Sequence, residues 1–166
     1  MQENVELSLL LSKQWLEEDD KLPQNAPLRD LPITIFPVSE RLIERSWKAF
    51  NWPKMDRYVD GDWMFSPVDT RFPVKHKKTA ITIHDLQAFE TDLPWSKTQG
   101  HQKFRKRWGL WVKKAVSQAD LVFTVSEYSR SRLINLLDLN PNKVKISGNA
   151  IDPAFLKQLQ KVKAKK

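Results

Sequence analysis

The sequence predicts an α/β fold in which parallel strands alternate with helices, and three observations carry that prediction. Short runs rich in β-branched residues recur at 80–83, 121–125 and 143–146. Stretches with helical periodicity, ten or more residues long, separate them, as parallel βαβ units with right-handed crossovers require. Each run also ends in polar residues, namely His84-Asp85, Ser126-Glu127 and Asn149. In an open sheet the ligand crevice lies at that carboxyl end of the strands.

Length and composition bound the rest. The 166 residues suit one domain with a real core, for which seven Trp and eight Phe supply bulk. We expect that domain over 1–155, followed by a basic tail at 156–166. The start, Met1-Gln2-Glu3-Asn4-Val5-Glu6, lacks the basic n-region of a signal peptide. No run approaches the roughly 20 apolar residues of a membrane-spanning helix. The chain has no Cys, so disulfides and thiolate metal sites are excluded, which fits a cytoplasmic setting. His76, His84 and His101 lack zinc-motif spacing, so no metal is expected.

The formal charge of +8 asks for a partner, because the excess is uneven. Residues 103–114 read Lys-Phe-Arg-Lys-Arg-Trp-Gly-Leu-Trp-Val-Lys-Lys, and Lys157, Lys161, Lys163, Lys165 and Lys166 crowd the end. Such clusters attract anionic lipid, nucleic acid or phosphorylated substrates. A solvated helix face and a frayed tail are the plainer explanation.

Taken in order, the apolar run 5–11 reads as a buried strand or a helix start. Acidic residues 17–20 and Pro23, Pro27 and Pro32 then mark a breaker-rich connection. Ile33-Thr34-Ile35-Phe36, between Pro32 and Pro37, reads as a short strand near an edge. Ser39 can cap a helix over 40–50 whose stripe is Leu42, Ile43, Trp47 and Phe50. Pro53 ends it. Trp63-Met64-Phe65-Ser66 is a strand closed by Pro67, and 69–78 is a loop. After the strand at 80–83, a polar loop reaches Gly100. The helix over 101–118 places Phe104, Trp108, Trp111, Val112 and Ala115 on one face. Next come the strand 121–125, a helix capped by Ser126 and ended before Pro141, the strand 143–146, a turn at Gly148-Asn149, and a short helix from Pro153.

Few residues carry chemistry. His84 after a strand can accept a proton or bond a hydroxyl, with Asp85 orienting the loop. A backbone-bonded structural His beside a turn-forming Asp explains the pair equally. Ser126 at a helix start can face an anion or a sugar, or simply cap. Arg130 and Arg132 on that helix can reach a phosphate or rest in solvent. Lys103, Arg105, Lys106, Arg107, Phe104, Trp108 and Trp111 form either an interfacial membrane helix or a crossover helix packed on the sheet. No Gly-x-Ser-x-Gly elbow or Gly-rich phosphate loop is present, which excludes the corresponding hydrolase and P-loop readings.

The ordered set Thr82-Ile83-His84-Asp85-Leu86, Ala119-Asp120-Leu121-Val122-Phe123-Thr124-Val125-Ser126-Glu127-Tyr128-Ser129, Asn142-Lys143-Val144 and Asn149-Ala150-Ile151-Asp152 resembles the acceptor-side N-terminal domain of family 4 glycosyltransferases. These are retaining enzymes of the GT-B fold. The resemblance is strong over 62–155 and thinner over 5–57. It implies a Rossmann-like parallel sheet with flanking helices, one incomplete half of a GT-B fold. By the same resemblance His84 is the cleft histidine near acceptor and reacting sugar, the catalytic candidate. By that resemblance Asp85, Ser126, Ser129 and Asn149 line the acceptor cleft; the basic aromatic pattern of the helix, rather than the family, offers Lys103, Arg105, Arg107 and Trp108 as membrane or phosphate contacts. Ala150 stands where the family often has Gly.

Two departures from the family pattern matter. The opening strand with its Gly-rich turn is missing, the chain beginning at what matches the second strand. The donor domain, which by resemblance binds the nucleotide sugar and carries paired glutamates, does not follow. The resemblance therefore implies a chain inactive alone, with no cofactor of its own and no metal requirement. A nucleotide-sugar donor, a saccharide or lipid-linked acceptor and a donor-domain partner are expected in the full enzyme. The setting is polysaccharide or glycolipid assembly, in the cytoplasm or peripheral at the inner membrane face. Two other readings stand beside it: a non-catalytic fragment or accessory binding protein, and a basic nucleic-acid-binding domain. The last lacks any helix-turn-helix, RNP-like or zinc signature, so nucleic acid is not the expected partner.

Overall fold

The computed structural model describes residues 5–150, so the expected helix from Pro153 and the basic tail at 156–166 lie outside the described residues. The chain divides into two compact units. One comprises residues up to Met64 together with Arg71–Thr79, and the other comprises Phe65–Thr70 and the residues from Ala80 onward.

In the first unit, β1 (Leu9–Ser12) and β2 (Ile33–Phe36) form a parallel pair, Leu9 opposite Ile33 and Ser12 opposite Phe36. Parallel strands need a crossover, and here it is a string of turns rather than a helix. Pro23, Pro27 and the acidic run 17–20 disfavour one. Arg29 organises it instead, donating to the Leu22 carbonyl and lying 3.8 Å from Glu17 and 4.0 Å from Asp19. The run 5–11 therefore forms a strand only at its end; Val5 and Leu7 stay exposed.

Helix α1 (Glu40–Phe50) has the expected bounds, with Ser39 at its N-cap, but the Ser39 side chain makes no capping hydrogen bond. Of the expected stripe, Ile43 is buried and Trp47 packs beside it, whereas Leu42 and Phe50 are exposed. The core they face is small: Phe36, Ile43 and Met55, flanked by Leu10, Trp47, Tyr58, Met64 and Phe72. Leu42 sits about 100° around the helix from Ile43, and Phe50 lies in the last turn, past that core. The helix stops at Asn51, which takes a left-handed conformation with φ 53°. Asn51 Oδ1 accepts a 2.6 Å bond from Arg71 Nη2, and burial pushes the Arg71 guanidinium down from its usual range.

Asp56 does comparable work. One of its carboxylate oxygens accepts the backbone N–H groups of His76 at 2.8 Å, Lys75 at 2.9 Å and Lys77 at 3.4 Å. Burial acts to raise its pKa, but these backbone bonds outweigh it and hold the carboxyl below its ordinary 3.8.

A second sheet has the order β3-β4-β5-β6, with β3 at Trp63–Ser66, β4 at Lys78–Ile83, β5 at Leu121–Thr124 and β6 at Val144–Ile146, most of it in the second unit. β4, β5 and β6 are parallel. Helix α2 (Gln99–Gln118) connects β4 to β5, and α3 (Glu127–Leu137) connects β5 to β6. This is the expected Rossmann-like α/β arrangement. With neighbouring strands in sequence order, both crossovers cover one face. Ile81, Ile83, Val122 and Val144 from that face pack with Val112, Ala115 and Val116 of α2 and Leu133 of α3. On the other face Phe123 meets Phe65 edge-on, with centroids 5.8 Å apart.

Several boundaries shift from expectation. β4 begins at Lys78 rather than Ala80, and β5 ends at Thr124 rather than Val125. Lys143 belongs to a 3-10 turn that precedes β6. The loop before α2 holds 3-10 turns at Gln87–Phe89 and Pro94–Lys97. α2 starts at Gln99 because the Thr98 hydroxyl caps it, accepting from His101 N–H at 3.3 Å. Its packed side is centred on Gly109, Val112, Ala115 and Val116, rotated from the aromatic stripe the periodicity suggests. The large rings fall along the margin of that side, since the close helix–sheet contact admits only small and β-branched residues.

Candidate functional site at the carboxyl edge of the sheet

Strand register assembles the site. Ile83 pairs with Thr124, and Thr124 with Ile146, so three parallel strands end side by side. The fully buried Thr124 donates its hydroxyl to the Ile83 carbonyl at 2.8 Å, satisfying the last acceptor of β4. Ser147 N–H donates to the Thr124 carbonyl at 2.9 Å and carries the alignment one residue further. His84-Asp85, Val125-Ser126 and Ser147 through Asn149 therefore leave one edge of the sheet, the position where open α/β sheets bind ligands.

His84 is exposed, and its Nε2 lies 2.8 Å from the Pro67 carbonyl. A carbonyl can only accept, so Nε2 carries the hydrogen. In the neutral ring this leaves Nδ1 with the lone pair. The backbone bond expected of a structural His is thus present, and it also fixes the tautomer. Asp85 forms a turn: its Oδ1 accepts the Gln87 N–H at 3.1 Å and opens the Gln87–Phe89 turn.

Ser126 caps α3. Its Oγ accepts the Ser129 N–H at 3.1 Å and donates to Ser129 Oγ at 3.1 Å, so the two cleft serines are joined to each other. Asn149 is exposed and follows Gly148, whose φ of +69° needs glycine.

The two arginines of α3 are engaged. Arg130 donates to the carbonyls of Val144 at 3.1 Å and Pro141 at 3.2 Å and contacts Glu127 at 3.2 Å. It straps α3 to the start of β6 through a bond from each guanidinium nitrogen. Arg132 Nη2 meets both oxygens of Glu90, at 3.3 and 3.2 Å, pinning the loop after β4 to α3.

The aromatic helix resolves into two sides. Trp108 donates its indole N–H to the Asp69 carboxylate, and Trp111 donates to the Asp69 carbonyl at 3.2 Å. Trp95, His101, Phe104 and Trp108 form a run of successive ring contacts, with centroids 4.7, 5.9 and 5.6 Å apart. Arg105 and Trp108 are partly buried on the packed side, while Lys103, Lys106 and Arg107 point outward. The expected membrane or phosphate contacts Lys103, Arg105, Arg107 and Trp108 therefore do not share a face.

Sequence reasoning missed Pro67, Thr124 and Asp69. A Thr closing an apolar strand is a readable signal for the second; a backbone carbonyl and a tryptophan anchor leave none. Among the described residues no helix is long and apolar enough to cross a membrane, and no group of three His, Asp or Glu is placed to hold a metal ion.

Comparison with known families gives a match to Glycosyltransferase Family 4 over residues 19–155, which reaches well before the segment 62–155 that carries the motifs. No curated protein matches the chain. With the parallel sheet, its flanking helices and the strand-edge site all inside the matched span, the chain belongs to glycosyltransferase family 4.

Proposed function

We propose that the chain forms the acceptor side of a glycosyltransferase that moves a sugar from a nucleotide-sugar donor to a saccharide or lipid-linked acceptor. The work belongs to polysaccharide or glycolipid assembly at the cytoplasmic face of a membrane. The observation that carries this reading is His84, exposed at the aligned strand ends with Nε2 held by the Pro67 carbonyl. Nδ1 then accepts a hydrogen bond from an acceptor hydroxyl, or in the protonated ring a charge-assisted bond steadies the leaving phosphate. The Ser126–Ser129 pair and Asn149 border the same edge and offer hydroxyl and amide partners to a sugar.

The nucleotide sugar is gripped by a donor-binding domain, in the same polypeptide or another, and transfer needs both walls because positioning supplies much of such catalysis. The test is His84→Ala in the protein assembled with its donor-binding domain. Turnover is expected to fall about 100-fold or more with unchanged circular dichroism. Unchanged turnover would remove His84 from the mechanism.

A further inference from the structure

We propose that the outward face of α2 is a docking surface for an anionic membrane, separate from the strand-edge site. Lys103, Lys106, Arg107, Leu110, Lys113 and Lys114 follow one another at spacings of one and three residues, so they share one side of the helix. All six are exposed, and Leu110, 65% accessible, stands in their midst. α2 contains no Asp or Glu.

The other two α-helices among the described residues pair some of their cations, although Arg41 and Arg45 of α1 have no ion pair there either. In α1, Lys48 pairs with Glu44 at 3.0 Å, and in α3, Arg130 pairs with Glu127 at 3.2 Å. Lys103, Lys106, Arg107 and Lys114 have no ion pair among the described residues. Lys113 lies over the Phe89 ring, 6.0 Å from its centroid. Lys103 and Arg107 repel each other one turn apart, an arrangement that weakens a helix unless an anion answers it. Covering the sheet does not demand this, since the packed side of α2 lies opposite.

Charge alone fits any polyanion; Leu110 selects the membrane. An apolar side chain ringed by cations is the pattern of a helix lying in the headgroup plane, where the cations meet anionic lipid and the apolar group enters the acyl boundary. Phe104, 45% accessible, lies at the margin of the same surface. A polynucleotide backbone gives Leu110 nothing to enter. Each cation near such a surface strengthens binding about fivefold.

The test is co-sedimentation of the 166-residue chain with vesicles of phosphatidylglycerol and phosphatidylcholine, against pure phosphatidylcholine. Neither donor nor acceptor is present, so the result is independent of the proposed transfer. Binding is expected to the anionic vesicles alone. Lys106→Gln with Lys114→Gln should weaken it about 25-fold, and Leu110→Ala about fivefold. Lys103→Gln with Arg107→Gln, on the same face, repeats the first result should that variant fold poorly. The Lys-rich segment 157–166 is common to all variants, so the differences report α2. Equal binding to neutral vesicles, or variants that bind like the parent, would overturn the proposal. Preferential capture of oligouridylate, unaffected by Leu110→Ala, would do the same.

Discussion

The two compact units are held together by different means. In the second, ten buried residues from three strands, two helices and their flanks form one continuous apolar cluster. In the first, the buried cluster among the described residues is Phe36, Ile43 and Met55, and large side chains such as Trp15, Leu42, Phe50 and Trp52 remain exposed. What the first unit lacks in apolar burial it partly replaces with polar clamps from side chain to backbone: Asp56 onto residues 75–77 and Arg29 onto the crossover, with Arg71 bonded to Asn51. The lesson is that a strand–helix layer holds by area, whereas a loop-rich unit holds by a few well-placed acceptors and donors.

The largest test of that contrast is Leu133→Ala. Leu133 is fully buried between α3 and the sheet, so the truncation should cost about 2–5 kcal/mol by denaturant unfolding. A loss no larger than that of a surface change would mean that the second unit does not rest on its apolar layer.

Asp56→Ala comes next. It strips three backbone N–H groups of their acceptor and should destabilise the first unit by about 1–3 kcal/mol. The sign of its pH dependence follows from the depressed pKa. The contribution is complete above the ordinary value of 3.8 and is lost as pH falls through the lower folded-state value. An acid titration of hydrogen exchange at residues 75–77 should show that loss in the parent and not in Asp56→Ala. Identical profiles would remove the clamp.

Phe50→Ser should have the smallest effect, within about 0.5 kcal/mol, because the ring is 78% exposed. A larger loss would give α1 an apolar contact that its exposure denies.

How much of this was legible differs between the units for the same reason. β5, β6 and α3 could be read to within a residue or two, because β-branched runs, the Ser126 cap and the stop before Pro141 all reinforce one another locally. The bounds of α1 were equally readable, but its stripe was not. Periodicity shows which residues lie on one side of a helix and not how far the opposing core extends, and so Leu42 and Phe50 belong to the stripe yet remain exposed. On α2 the periodicity selected the large rings, while the packed side is made of Gly109, Val112, Ala115 and Val116. Within the site, His84, Asp85, Ser126 and Asn149 were recognisable as residues following strands. Their register, the Pro67 carbonyl on His84 and the bond from Arg130 to the Val144 carbonyl were not, since each depends on a partner 14 to 41 residues away.

The sequence by itself determined the α/β class, the three strand ends, the residues offered there and a helix with many cations and no acids. These are local matters of side-chain branching, turn chemistry and charge. The tertiary structure decided which imidazole nitrogen is free to act, which arginines are already engaged, and that the cations of α2 other than Arg105 face outward around Leu110 while its tryptophans are held by Asp69. Such outcomes depend on groups distant in sequence meeting at hydrogen-bond distance, and a linear pattern does not contain those distances.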